Sequence, residues 1–219
     1  MEEELSGAEA EAPRGRFSIP KPEGTAGTLL ETVVIVAVAL GLALGIQALL
    51  VKPYNIPSGS MEPTLDIGQR ILVNRFIYDF KDPKPGDIVV FHPPAGAERA
   101  STEQCGVRKG PEEPCPTPTA KEASETFIKR IVAGPGDTLS VKNGHPVVNG
   151  VEKTDEPYIN PCPSCTLTKT ITIPPGHYFL MGDNRGQSDD SRFWGPIPED
   201  WIVGEAFFTY WPPDRWGFL

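Results

Sequence analysis

The 219-residue chain has room for one ordinary domain with appendages, and its net charge of −9 argues against a nucleic-acid-binding surface. Its 25 prolines and 22 glycines are spread along the sequence, which suits short strands and turns better than long helices. His92, His145 and His177 each sit among prolines or glycines, and no HExxH, paired CxxC or EF-hand spacing occurs, so a metal enzyme is not expected.

Met1 to Gly27 is polar, acidic at the start and broken by Pro13, Pro20 and Pro22. It has no apolar periodicity and reads as a flexible tail, assigned to residues 1–28. A membrane anchor is assigned to residues 29–51. Within it, Thr32 to Val51 has no charged residue, and twenty residues at 1.5 Å rise each cover about 30 Å, the hydrocarbon thickness of a bilayer. A cleaved secretory signal would have a short basic lead and a shorter apolar core, whereas the lead here is long and acidic, so the reading is a single pass through a lipid bilayer. Gly41 and Gly45 make a GxxxG, but small residues are common in membrane helices whether or not they pair. Arg14, Arg16 and Lys21 before the span, against Lys52 and Arg70 after it, favour a cytoplasmic N-terminus.

The stretch from Pro53 to Asn74 sets Ser58 and Ser60 on either side of Gly59, among Ile56, Met61 and Leu65, with Pro57 and Pro63 stiffening the backbone. A hydroxyl pair in such apolar surroundings, just outside a membrane span, is a candidate active site. Strand signals follow at Arg70–Phe76 and at Asp87–Phe91, a β-branched run after the turn Pro83–Gly86. Pro93 to Glu125 lacks periodicity and reads as a long surface insertion, bounded at 92–125. Thr126–Ala133 resumes the strand signal and stops at the turn Gly134–Asp137. Leu139–Val141 and Val147–Asn149, with the turn Asn149-Gly150, predict small hairpins. Thr166–Ile173 alternates, Tyr178–Met181 is a short strand, residues 182–192 read as a loop, and Ile202–Trp211 is a last strand. Residues 52–219 are therefore expected to be a mainly β, antiparallel domain with a smaller β subdomain at about 141–175.

The cysteines form two local pairs in Pro-rich sequence, Cys105 with Cys115 and Cys162 with Cys165. Outside the cytoplasm two short-range disulfides are the natural reading. A zinc site using all four is the alternative, and the wide Cys105–Cys115 spacing argues against it.

A serine is a nucleophile only if a base takes its proton. None of the histidines lies in a catalytic-looking stretch, and there is no GxSxG elbow. A lysine can serve when burial lowers its pKa. Lys129 stands between Phe127, Ile128, Ile131 and Val132, whereas most other lysines lie in loops; the alternative is an edge-strand lysine pointing to water.

Four motifs in order, Ser58–Leu65 (SGSMEPTL), Gly86–Phe91 (GDIVVF), Phe127–Arg130 with Gly134–Asp137 (FIKR and GPGD), and Gly182–Arg192 (GDNRGQSDDSR), resemble the type I bacterial signal peptidase family from the anchor nearly to the C-terminus. The resemblance implies a membrane-bound serine endopeptidase that removes signal peptides from exported preproteins after small residues, at Ala-x-Ala sites. It implies no cofactor, no metal and no nucleic-acid partner. It implies Ser60 as nucleophile, Lys129 as general base, Ser58 as an oxyanion donor beside the Ser60 amide, and Ser188 orienting the lysine amine. Asp190 and Arg192 would be a supporting charged pair, joined by Arg130, and Ile56, Met61, Leu65, Phe127 and Ile128 would line the substrate pocket. The family pattern GDNR-Asp-Asn-Ser is departed from at Gly186 and Gln187, which leaves Ser188 in register. The implied location is the plasma (inner) membrane, with the catalytic domain on the extracytoplasmic face. Trp194, Trp201, Trp211 and Trp216 read either as a membrane-facing set or as core aromatics. Rival readings are a self-cleaving Ser–Lys peptidase, disfavoured by the membrane span, and an inactive anchored β module that binds exported chains.

Overall fold

The computed structural model describes residues 25–97, 105–110 and 112–219; most of the expected tail lies outside them. The chain divides into two units at Leu44/Gly45, and each is taken by itself. Helix α1 runs Thr25–Leu49, and Leu29, Val33, Leu40 and Leu44 on it are exposed. One stretch, Gly27–Gly45, is long and apolar enough to cross a membrane. The helix begins four residues before the expected boundary, because nothing after Pro22 breaks it. It also ends before Val51, which the anchor was expected to include.

Val51 instead opens strand β1 (Val51–Asn55), which pairs antiparallel with β2 (Arg70–Asn74). Pro53 is tolerated there because β1 is the outermost strand of its sheet and need not donate a hydrogen bond on its open side. The remaining strands are β3 (Ile88–Phe91), β4 (Phe127–Ala133), β5 (Thr138–Lys142), β6 (His145–Val148), β7 (Val151–Glu152), β8 (Leu167–Thr172), β9 (His177–Met181), β10 (Ile197–Pro198), β11 (Ile202–Trp211) and β12 (Gly217–Phe218). A four-residue helix, α2 (Ser191–Trp194), follows the expected loop. Asp190 caps it by accepting from the Arg192 N–H.

The larger sheet runs β1-β2-β11-β3-β4-β9-β10 with β12 on β11, and every pairing is antiparallel. The continuous apolar run of β3 follows from burial on both faces. Ile88 and Val90 pack with Ile56, Met61, Leu65 and Ile71, whereas Val89 and Phe91 pack with Ile131, Leu180 and Trp194 on the other side. Trp194 is thus a core aromatic, while Trp211 and Trp216 are exposed.

The expected subdomain is a four-stranded sheet, β7-β6-β5-β8. Its core, with Leu139, Val141, Val148 and Ile171, is continuous with Val132, Phe179 and Met181 of the larger sheet. Asn149 and Gly150 both adopt positive φ (52° and 79°), the conformation a two-residue hairpin turn demands. The insertion folds back on itself: the Ala95 N–H donates to the Lys121 carbonyl and the Ala123 N–H to Pro93. Disulfides join Cys105 to Cys115 and Cys162 to Cys165.

Candidate active site

Ser58 is extended (φ −139°, ψ 157°) and starts a single 3₁₀ turn, Gly59–Met61. The first N–H groups of such a turn have no partner within it, which leaves the Ser60 amide available for hydrogen bonding. Met61 and Leu65 anchor the turn from below. Both were expected to line the substrate pocket, but both are wholly buried in the core and do not reach the cleft. From above, Asn184 holds the turn by both its groups: its side-chain amide donates to the Gly59 carbonyl at 3.0 Å and its N–H to the Ser60 carbonyl at 3.1 Å.

Lys129 comes to this turn on β4. The strand lies between β3 and β9, so the lysine is not on a water-facing edge. Its Nζ lies 2.7 Å from Ser60 Oγ and donates to the Ile128 carbonyl at 3.1 Å, with both side chains buried. Burial lowers the lysine pKa from 10.5 to about 8. Arg192 pushes the same way, while the carboxylates of Asp190, Asp189 and Asp183 oppose it. A substantial fraction of the amine is therefore neutral near physiological pH.

The pair opens into a cleft of about 600 Å³. Residues 54–60 and residues 125–129 line it, with Gln187 and with Asp189, whose carboxylate acts on Lys129. Ile56, Phe127 and Ile128 line it as expected, together with Tyr54, Ile71 and Val90; Ser58 and Ser60 bring the hydroxyls.

Ser188 was expected to orient the amine. Its hydroxyl is buried and makes no hydrogen bond to Nζ among the described residues; it lies instead by the Asp190 carboxylate, which it helps to hold below the usual range. Asp190 and Arg192 do pair, at 2.7 Å and fully buried. Burial alone would raise the Asp190 carboxyl, but Arg192 and the Gly182 N–H outweigh it and hold it below the usual range. Arg130 does not join them, contrary to expectation. Its Nε and Nη2 donate to Asp183 at 2.9 and 2.7 Å, and its guanidinium stacks 4.0 Å from the Tyr158 ring. Asp183 is nearer along this strand register, since Arg130 pairs with Met181.

Asp183, Asn184, Arg185 and Glu156 received no individual role from the sequence. The first three lie within the GDNR motif, which was the available signal. Glu156 gave none, because its relevance comes only from a contact made 29 residues away: it accepts from Arg185 at 2.9 and 3.1 Å. Arg185 also donates to the Gly144 carbonyl, which ties the small sheet to this loop.

Gly182 sits where these parts converge. A Cβ there would lie 2.2 Å from Ser188 Oγ and 2.4 Å from the Ser60 carbonyl oxygen. Gly182→Ala is expected to cost about 1–3 kcal/mol and to reduce turnover by moving the Ser60 turn; urea unfolding and a peptidase assay would check both. Unchanged turnover would mean that the turn's position is not critical.

The description "Signal peptidase, peptidase S26" belongs to the family model that matches residues 29–211. The chain is 38% identical over 189 residues to the probable signal peptidase I-1 of Synechocystis sp., covering 86% of each. It is 34% identical over 191 residues to signal peptidase I of Leptolyngbya laminosa, covering 87% of this chain and 84% of that one. With the thylakoidal processing peptidase 1 of Arabidopsis thaliana, chloroplastic, it shares 35% over 178 residues, 81% of this chain and 47% of that one.

Proposed function

The chain belongs to the signal peptidase S26 family and is a serine peptidase that cleaves signal peptides; from that premise we propose that Ser60 and Lys129 carry out the cleavage as nucleophile and general base. The observation that carries this reading is the 2.7 Å Lys129 Nζ–Ser60 Oγ contact, made by an amine whose pKa is lowered to about 8.

Ser60 Oγ attacks the scissile carbonyl as its proton passes to Nζ. The oxyanion is held by the Ser60 N–H and by the Ser58 hydroxyl, exposed at the cleft wall. Collapse returns the Nζ proton to the leaving amine and leaves an acyl-enzyme. A water, giving its proton to the same neutral amine, then attacks the ester; the C–Oγ bond breaks, Nζ returns that proton to Ser60 Oγ, and the acid is released. While Ser60 is acylated the lysine lacks its hydroxyl partner, and Ser188, a buried hydroxyl in the same packed cluster, is the group proposed to take its place. The Asp190–Arg192 and Asp183–Arg130 pairs keep the surrounding loop in place.

The apolar cleft lined by Ile56, Phe127 and Ile128 suits small uncharged side chains next to the cut, in line with Ala-x-Ala signal-peptide sites on exported preproteins. Helix α1 is the proposed single-pass anchor in the plasma (inner) membrane. It would hold the enzyme where the apolar segment of a substrate also resides and raise its effective concentration. The basic residues before the span support a cytoplasmic N-terminus, and two disulfides suit an extracytoplasmic catalytic domain, residues 52–219.

The test is cleavage of an Ala-x-Ala peptide by the full chain in detergent. Wild type is expected to cleave it, with kcat/KM rising with pH through an apparent pKa of about 8 as Lys129 loses its proton. Ser60→Ala should be inactive. Activity in Ser60→Ala, or a profile flat from pH 6 to 9, would overturn the dyad. Ser58→Ala is expected to lower kcat about a hundredfold with KM little changed; an effect confined to KM would make Ser58 a binding residue only.

A further inference from the structure

The cleft walls are mostly apolar or hydroxyl-bearing, and apart from Lys129 the charges they carry are of one sign. Apart from Tyr54 and Lys129, the titratable side chains lining the cleft are Glu125 and Asp189. Asp189 lies by the dyad, close enough for its carboxylate to act on Lys129 and Arg192. Glu125 is exposed where the wall of residues 125–129 begins, four residues from Lys129. Its carboxylate accepts from Ser124 Oγ at 3.3 Å, and the described residues give it no salt bridge. Apart from Lys129, the cleft is therefore an apolar trough that carries two carboxylates.

A peptide must lie extended in such a trough to reach Ser60, and an extended chain advances about 3.3 Å per residue. A substrate side chain over Glu125 would thus lie some residues away from the scissile bond. A basic side chain there gains a carboxylate partner, whereas an acidic one meets like charge.

We propose that Glu125, with Asp189 at the dyad end, makes this cleft select substrates that carry a lysine or arginine a few residues from the cut and disfavour those with an acidic residue there. Because this rests on the peptidase reading, the experiment includes a substrate that tests that reading alone. The full chain in detergent is given an uncharged Ala-x-Ala peptide and a matched set in which lysine or glutamate is placed, one position at a time, up to five residues on either side of the cut. At low salt, kcat/KM is expected to favour lysine over glutamate about three- to tenfold at one or two positions. The preference should shrink by half or more at 0.5 M NaCl. In Glu125→Gln the preference away from the cut should fall to near one while the uncharged peptide is still cleaved, and in Glu125→Lys it should reverse. Asp189→Asn should remove any preference next to the cut and, by removing a carboxylate from beside Lys129, shift the pH profile to lower pH. Equal cleavage of lysine and glutamate peptides at every position, or a preference that survives both Glu125 variants, would overturn the inference and leave the peptidase reading standing. Failure to cut the uncharged peptide would overturn the peptidase reading and this inference with it.

Discussion

Replacing Lys129 by methionine is expected to abolish peptide cleavage and, at the same time, to stabilise the folded chain at neutral pH. Loss of the base should lower kcat about ten-thousandfold or more. The stability effect has the opposite sign because the native lysine is held at a cost. Its pKa falls from 10.5 to about 8, and each unit is worth about 1.4 kcal/mol, so protonating it in the folded chain costs about 3 kcal/mol. Below pH 8 both folded and unfolded chains bind the proton and the whole penalty is present. Between pH 8 and 10.5 the unfolded chain holds more protons, so wild-type stability rises with pH, and above 10.5 the penalty is gone. Methionine has nearly the volume of the lysine stem and no charge. It does leave the buried Ser60 hydroxyl without its 2.7 Å partner, a loss of about 1 kcal/mol. The variant should therefore be more stable than wild type by about 2 kcal/mol at pH 6, with the difference gone by pH 10. Chemical denaturation at several pH values measures it. A Lys129→Met protein less stable than wild type at pH 6 would show that the amine is not desolvated.

Removing the Asp183 carboxylate should have the largest destabilising effect. Asp183 is fully buried, accepts two hydrogen bonds from Arg130, and accepts another from Thr64 Oγ1 at 2.5 Å. Asp183→Ala leaves the Arg130 guanidinium buried with, among the described residues, only the Gly86 carbonyl at 2.9 Å as an acceptor. Breaking a buried pair in this way costs about 3–5 kcal/mol. Activity should fall too, because the next residue, Asn184, holds both carbonyls of the Gly59–Ser60 turn. A second substitution, Arg130→Met, should recover much of the stability by removing the stranded charge. If the double variant is as unstable as the sum of the two singles, the ion pair is not what couples them.

Much of this molecule was legible in the sequence because its signals are local. The apolar run forms a helix with a stretch, Gly27–Gly45, long and apolar enough to cross a membrane, and Ile202–Trp211 is a strand over the whole of its expected length. The alternation in Leu167–Thr172 and the Asn149-Gly150 turn likewise depend on backbone preference and side-chain period alone. Boundaries were less legible. Val51–Asn55 is a strand only because Arg70–Asn74 is there to pair with it, and neither Pro53 nor Lys52 advertises that.

The site divides the same way. Ser58, Ser60, Lys129, Ser188, Asp190 and Arg192 were named from the sequence through their motifs, whose order and residue types are intrinsic to the chain. Partnerships were not. Which carboxylate meets Arg130, whether Met61 points to the cleft or to the core, and whether Lys129 is dry or wet all depend on strands brought together across 53 to 125 residues. Residue types and their spacing along the chain therefore determined the fold class, the long apolar helix and the candidate nucleophile and base. The tertiary structure alone decided that Arg130 belongs to Asp183, that Met61 and Leu65 support the turn from the core, and that burial leaves Lys129 with a pKa of about 8. Desolvation and ion pairing are properties of a surrounding volume, and that volume does not exist until β4, the Ser60 turn and the Gly182–Arg192 segment have closed around it.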